Sequence, residues 1–163
     1  HMKLTIRPAK IEDTSLILSL IRGLAEFEKL AHEVIATEET LKKSLFSEKS
    51  NARVFIAESE NNAVGFALTF FNFSTFLGMT GLYLEDLFIK PEYRGHGFGT
   101  QLLAYLANFA KEENCGRFEW SVLNWNQKAI DLYEKLGAKP LDEWTIYRMN
   151  RPALEKLAQT FRE

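Results

Sequence analysis

A single cysteine, Cys115, stands among 163 residues, and one thiol excludes both a disulfide framework and a zinc site built on cysteines. No stretch approaches the roughly 20 uninterrupted apolar residues of a membrane-spanning helix, so no membrane partner is expected. Neither sign of charge dominates. Twenty Lys and Arg stand against 22 Asp and Glu, a formal net charge of -2, which leaves no basic field for nucleic acid. Histidine is scarce too: His1-Met2 is read as a tag remnant, and only His32 and His96 remain, so no metal site is expected. No secretory leader, linker, low-complexity tract or internal repeat is visible. The expectation is one reduced, cytoplasmic domain spanning residues 3–163.

What is present is apolar and aromatic: 46% of residues are hydrophobic, and 13 are Phe. Leu4 to Arg7 alternates and reads as a short strand stopped by Pro8. Leu16, Ile17, Leu20, Ile21, Leu24 and Phe27 recur at helical spacing. Thr37 followed by Glu38 and Glu39 opens a second helix. Val54–Ala57 and Ala63–Phe73 form a hairpin about Asn61-Asn62, and Ser74–Gly81 reads as a loop. Leu82–Ile89 is a nearly continuous apolar run, the mark of a strand covered on both faces. A helix from Leu102 to near Asn114, a strand at Arg117–Leu123, a helix around Ala129–Leu136 and a last strand at Trp144–Met149 follow. Pro152–Phe161 forms an amphipathic tail. The alternation in the second half implies a parallel pair beside an antiparallel first half, a mixed α/β sheet with helices on both faces.

Two features carry chemistry. Arg94-Gly95-His96-Gly97-Phe98-Gly99 lies between a strand and a helix, where glycines let a ligand approach the backbone and free N–H groups at a helix start form an anion nest. The residues alone leave two readings, a pyrophosphate site or a plain strand-to-helix turn. A Walker loop is excluded by the missing Gly-Lys-Ser/Thr, and the glycine spacing does not fit a dinucleotide fingerprint. The second feature is Glu85-Asp86, two acids inside an apolar strand, where ionised groups are costly unless paired or used. Strand alternation sends the two to opposite faces, so at most one is expected in a given cleft. On the residues alone, service in a site and pairing with a loop or an Arg stand equally open. No Gly-x-Ser-x-Gly elbow or Ser-His-Asp set is present, and Cys115 has no base at hand, so no covalent acyl-enzyme is expected.

The run Tyr93–Gly99 after a buried strand ending at Pro91 resembles the acyl-CoA loop of the GNAT superfamily of N-acetyltransferases. Leu84-Glu85-Asp86, Asn124-Trp125-Asn126-Gln127 with Tyr133, and Leu24-Ala25-Glu26-Phe27-Glu28 extend the likeness toward the spermidine/spermine branch, nearest the relatives that act on the lysine analogue thialysine. The resemblance implies a mostly antiparallel sheet of six to seven strands, with a parallel pair splayed by a bulge. It implies acetyl-CoA as donor, held by Arg94, Gly95, His96, Gly97, Phe98, Gly99 and Thr100, by Asn126, and by backbone at Leu87, Phe88 and Ile89, where a strand N–H stabilises the developing oxyanion. Glu85 is implied as base and Tyr133 as the acid for the departing thiolate. Phe27, Glu28, Glu85, Glu119, Trp120 and Ser121 are implied around a small primary amine, with alternation allowing only Glu119 and Ser121 together or Trp120 to point inward.

The chemistry accords with this. An alkyl ammonium of pKa ~10.4 is neutral in about one molecule per few thousand at pH 7, and only the neutral amine attacks a thioester. With no acyl-enzyme expected, direct transfer in a ternary complex is the expected mechanism, and the resemblance implies a homodimer. Ser74-Thr75-Phe76-Leu77 departs from polyamine-specific members, which carry an acid and a tryptophan there, and this argues against long polyamines. Two other functions remain compatible with the same loop: acetylation of a protein N-terminus or lysine, and a non-catalytic acyl-CoA sensor. A nucleotide-binding module is a remote fourth.

Overall fold

Five strands and five helices order the chain in the computed structural model, which describes residues 2–162. His1, part of the tag reading, and Glu163, the end of the expected domain, lie outside the described residues. Two compact units form, one running to Ser121 and one starting at Val122.

The first unit holds the sheet, in the order β1-β2-β3-β4-β5: β1 (Thr5–Pro8), β2 (Ala52–Ser59), β3 (Asn62–Ser74), β4 (Met79–Ile89) and β5 (Phe118–Trp120). The first four pair antiparallel, and β5 joins β4 in parallel. The class is the expected one, with fewer strands. The β2–β3 turn sits at Glu60 and Asn61, both at positive φ, one residue before the expected Asn61-Asn62. The loop expected from Ser74 to Gly81 is confined to residues 75–78, because β3 and β4 pair as far out as Ser74 and Met79.

Helices cover both faces. From one side α1 (Thr14–Phe27) and α2 (Glu38–Phe46) pack Ile17, Leu20, Leu24 and Leu41 against Val54, Ile56, Phe66 and Phe88. The α2 start is fixed as expected, with the Thr37 hydroxyl accepting from Thr40 N–H at 3.1 Å. On the other side α3 (Phe98–Glu112) sets Tyr105 and Phe109 edge-on to Phe55, with centroids at 5.3 and 5.1 Å. The side chains of β2 thus alternate between the two helix layers.

Gly65 of β3 shows how closely the central hairpin is built. A Cβ there would overlap the Phe88 carbonyl oxygen and lie 2.7 Å from Ile89 Cδ1. Backbone cannot swing aside as a flexible side chain can, so Gly65→Ala is expected to destabilise the fold by about 3 kcal/mol. The urea midpoint measures this; an unchanged midpoint would refute it.

The second unit contains α4 (Gln127–Lys135) and α5 (Arg151–Ala158). The expected last strand at Trp144–Met149 is absent: these residues belong to no ladder, and Trp144, Ile146 and Tyr147 are 73%, 76% and 92% exposed. An alternating pattern supplies strand propensity, but a strand also needs an edge to bond to. No described helix is long and apolar enough to cross a membrane.

Candidate active site

The centre of the site is a break in the β3–β4 ladder. Leu68 pairs with Asp86 and Thr69 with Leu84, so Glu85 is an extra residue opposite no partner, a β-bulge. Leu68 and Phe70 share one face of β3, and their partners are Asp86 and Tyr83. Glu85, next but one to Tyr83, keeps to that face, and the extra residue brings Asp86 to it as well. The expectation that the two carboxylates point to opposite faces is therefore wrong. Alternation fails because the strand contains one residue more than its rungs.

This face lies under α1, whose end supplies a third carboxylate. Glu28 caps the helix, its N–H donating to Leu24 O at 2.9 Å. Burial and then the Glu85 charge push the Glu28 carboxyl up from its ordinary value. Asp86 is pushed up to about 7, first by burial, then by Glu85 and Glu28. Three like charges thus converge on a half-buried spot with no cation of the protein among the causes. Among the described residues no group of three or more His, Cys, Asp or Glu is placed to hold a metal ion. A spread acidic group of this kind suits an organic ammonium.

The neighbouring groove residues divide as the register dictates. Tyr83 pairs with Glu119, and Leu84 with Trp120. Glu119 and Ser121 therefore share the carboxylate face, and the Tyr83 and Ser121 hydroxyls hydrogen-bond at 2.7 Å. The Glu119 carboxylate already accepts from Arg117 Nε at 3.0 Å and Asn72 Nδ2 at 3.4 Å. Trp120 turns to the other face, with its ring 4.9 Å from that of Phe118.

On the donor side, the β4–β5 ladder ends at Leu84 and Trp120, and beyond it β4 loses its parallel neighbour. Lys90 N–H donates to Val64 O at 2.8 Å, toward β3. By alternation the N–H groups of Leu87 and Ile89 face away from β3, into the edge that β5 leaves open. The Phe88 side chain goes into the core, 5% exposed.

The glycine loop continues from that edge. Gly95 and Gly97 hold φ of +85° and +76°, left-handed positions that glycine takes without strain, and the space where their Cβ atoms would stand is open. Gln101 N–H makes the first bond of α3, to Gly97 O at 3.0 Å, so the N–H groups of Phe98, Gly99 and Thr100 precede the helical ladder and point out of the helix start. Phe98 is buried and anchors the loop, while His96 is exposed with its ring 5.6 Å from that of Phe98. Arg94 is exposed, and its Nε donates to Ile89 O at 3.0 Å. The arrangement is an anion cradle opening beside a strand edge with free donors.

In the second unit the Asn126 side-chain Oδ1 accepts from Ala129 N–H at 3.3 Å and caps α4, as its position before Gln127 predicts. Tyr133 is half-buried on the same helix, two turns on.

The residue reading missed Asp86 as a member of the site, and Tyr83 with it. The signal for Tyr83 was present: it stands two before Glu85 on a strand. Nothing in β4 alone revealed the bulge. Cys115, read as inert, lies by a separate cavity of about 330 Å³ lined by Met79, Lys111, Asn114 and Arg117, and burial raises its thiol above the ordinary value.

Comparison with known proteins bears on this geometry. The sequence profile of the acetyltransferase (GNAT) family matches residues 21–138. Thialysine N-epsilon-acetyltransferase of Sus scrofa is 40% identical, covering 94% of this chain and 96% of its own. L-ornithine N5-acetyltransferase of Arabidopsis thaliana is 31% identical over 93% of this chain and 86% of its own. Among solved structures, an integron cassette protein from the mobile metagenome of V. cholerae superposes with a TM-score of 0.78 at 27% identity, covering 98% of this chain and all of the other.

Proposed function

This chain belongs to the acetyltransferase (GNAT) family and is an acetyl-CoA-dependent N-acetyltransferase, and from that premise we propose that its acceptor is a small primary amine of the lysine-analogue or diamine type, held by Glu28, Glu85 and Asp86. The observation that carries the reading is the bulge at Glu85, which gathers acids on one face of β4 beside a strand edge with free N–H groups. Two similar proteins are named for thialysine and ornithine, both small amines with a terminal ammonium. The hydroxyl and apolar residues of Ser74-Thr75-Phe76-Leu77, with Phe76 fully exposed, add no acid for a second distant ammonium.

The mechanism follows from the groups present. The acidic face attracts the ammonium, and the Phe27 ring adds a π surface beside it. Glu85, open to solvent, takes the amine proton, directly or through a water. The freed nitrogen attacks the thioester carbonyl. The carbonyl oxygen becomes negative within reach of the Leu87 or Ile89 N–H groups as the C–N bond forms, and the nitrogen sheds its second proton to solvent as the C–S bond breaks. Tyr133 is proposed to protonate the thiolate. A phenol near pKa 10 and a thiol near 8.5 are matched closely enough for that transfer. The loop from Arg94 to Thr100 is proposed to bind the pyrophosphate, with Asn126 as a further donor-site residue. Ser121, hydroxyl-bonded to Tyr83, borders the acceptor, while Glu119 acts through its Arg117 pair and Trp120 serves packing on the opposite face.

A homodimer in the cytoplasm completes the proposal. Trp144, Ile146, Tyr147 and Met149 are exposed apolar residues outside any ladder, and a second copy is the partner proposed to cover them. The lone thiol suits a reducing compartment.

The test is thiol release from acetyl-CoA with thialysine, ornithine, lysine, short diamines, spermidine and an N-terminal peptide, with Tyr133→Phe alongside. Turnover is expected with the amino-acid amines, spermidine at least tenfold poorer in kcat/KM, and Tyr133→Phe slower by about 10- to 100-fold. Release with the peptide alone would replace the small-amine reading by protein acetylation, and tight CoA binding without turnover would leave a sensor.

A further inference from the structure

Arg94 does more in this fold than face a phosphate. Its Nε is tied to Ile89 O at 3.0 Å, and its guanidinium carbon stands 4.5 Å from the centroid of Phe27 and 5.7 Å from that of Phe88. Phe27 is the last residue of α1 and adjoins Glu28 of the acidic face. Phe88 lies against the same helix one turn earlier, where a Cβ on Gly23 would come within 2.9 Å of its ring. One guanidinium thus meets the strand edge, the end of α1 and the glycine loop.

We infer that Arg94 and Phe27 form a coupling joint between the donor and acceptor sites, so that Phe27 contributes to CoA affinity although it lies far from the loop in sequence. The inference rests on the donor and acceptor assignments proposed above. A guanidinium is planar: it meets an anion with its N–H edge and an aromatic ring with its face, and the two contacts do not compete. Arg94 is exposed and Phe27 is 39% exposed, so water reaches the stack and weakens it. A pyrophosphate on the edge of the guanidinium fixes its plane and firms the stack. The ring then holds the end of α1, and Glu28, in place for the amine. By linkage the effect runs both ways, and an ordered acceptor wall tightens CoA. Arg94 and Phe27 act here as positioning residues.

The experiment is calorimetric titration of CoA, without acceptor, into the full chain and its variants, with thermal unfolding as the check of the fold. Phe27→Leu is expected to weaken CoA by about 3- to 10-fold, a part of the cation–π range, because only the firming of the stack counts toward affinity. Phe27→Tyr, which keeps the π face, is expected to bind as the parent does. In an Arg94→Gln background, itself weakened, Phe27→Leu is expected to cost less than a further twofold, since the partner is gone. An unchanged affinity in Phe27→Leu, an equal loss in both backgrounds, or a loss in Phe27→Tyr matching that in Phe27→Leu would each overturn the joint. A parent that fails to bind CoA would overturn the donor assignment and the joint with it. A parent that binds CoA normally while Phe27→Leu has no effect overturns the joint alone.

Discussion

Glu85→Gln is expected to lower kcat/KM at pH 7 by about 100- to 10,000-fold, the range for loss of a general base. That corresponds to roughly 3–5 kcal/mol of transition-state stabilisation. The amide matches the acid in shape, and Glu85 is an exposed bulge residue outside the ladder, so stability should change by less than about 0.5 kcal/mol. The pH profile separates a lost base from a lost contact. Without Glu85 the amine must shed its proton in solution, so the variant's rate should climb with pH toward the amine's own pKa of ~10.4 and narrow the gap to the parent. A variant within tenfold of the parent at pH 7, or a gap that stays constant with pH, would remove Glu85 from the base role.

The second large effect is on stability. In the unfolded chain Asp86 ionises near pH 4, whereas in the fold burial, Glu85 and Glu28 hold its carboxyl up to about 7. Between those values the fold holds a proton that the unfolded chain releases. Stability from this group is thus fully present below about pH 4, declines as pH rises, and is lost above about 7. A shift of this size corresponds to at most about 4 kcal/mol. Asp86→Asn keeps the shape and cannot ionise. It is expected to be about 2–4 kcal/mol more stable than the parent at pH 8 and within about 1 kcal/mol at pH 4. Urea unfolding at the two pH values measures both, and an equal difference at the two would refute the assignment. The same ionisation adds a negative charge beside the acceptor, so KM for a cationic amine should fall as pH crosses about 7 in the parent and stay flatter in Asp86→Asn. An activity gain thus accompanies a stability loss, the usual trade at a working site.

How much of this was legible follows from which interactions are local. The capped starts of α2 and α4, the buried run of β4 and the glycine loop before α3 are written in neighbouring residues, and the structure has them where the pattern puts them. The bulge is not local. It depends on how β4 pairs with β3, and the alternation rule that sent Glu85 and Asp86 apart assumes one residue per rung. The ion pair of Glu119 with Arg117 lies between. Two oppositely charged residues spaced by two on a strand share a face, so that pairing was open to inspection and weakens Glu119 as a ligand for the acceptor. Trp144–Met149 fails for the opposite reason. Its residues favour extended chain, but no spacing within a segment names the edge it will join.

The ladder of β3 and β4 is complete without Glu85: every rung on either side of it is filled by other residues. The residue proposed as the base is therefore one the sheet does not use. A single-codon deletion at that point would remove the proposed base with the strands on either side still in phase. A lineage comparison that scores only substitutions would miss such an event, because the change is one of length.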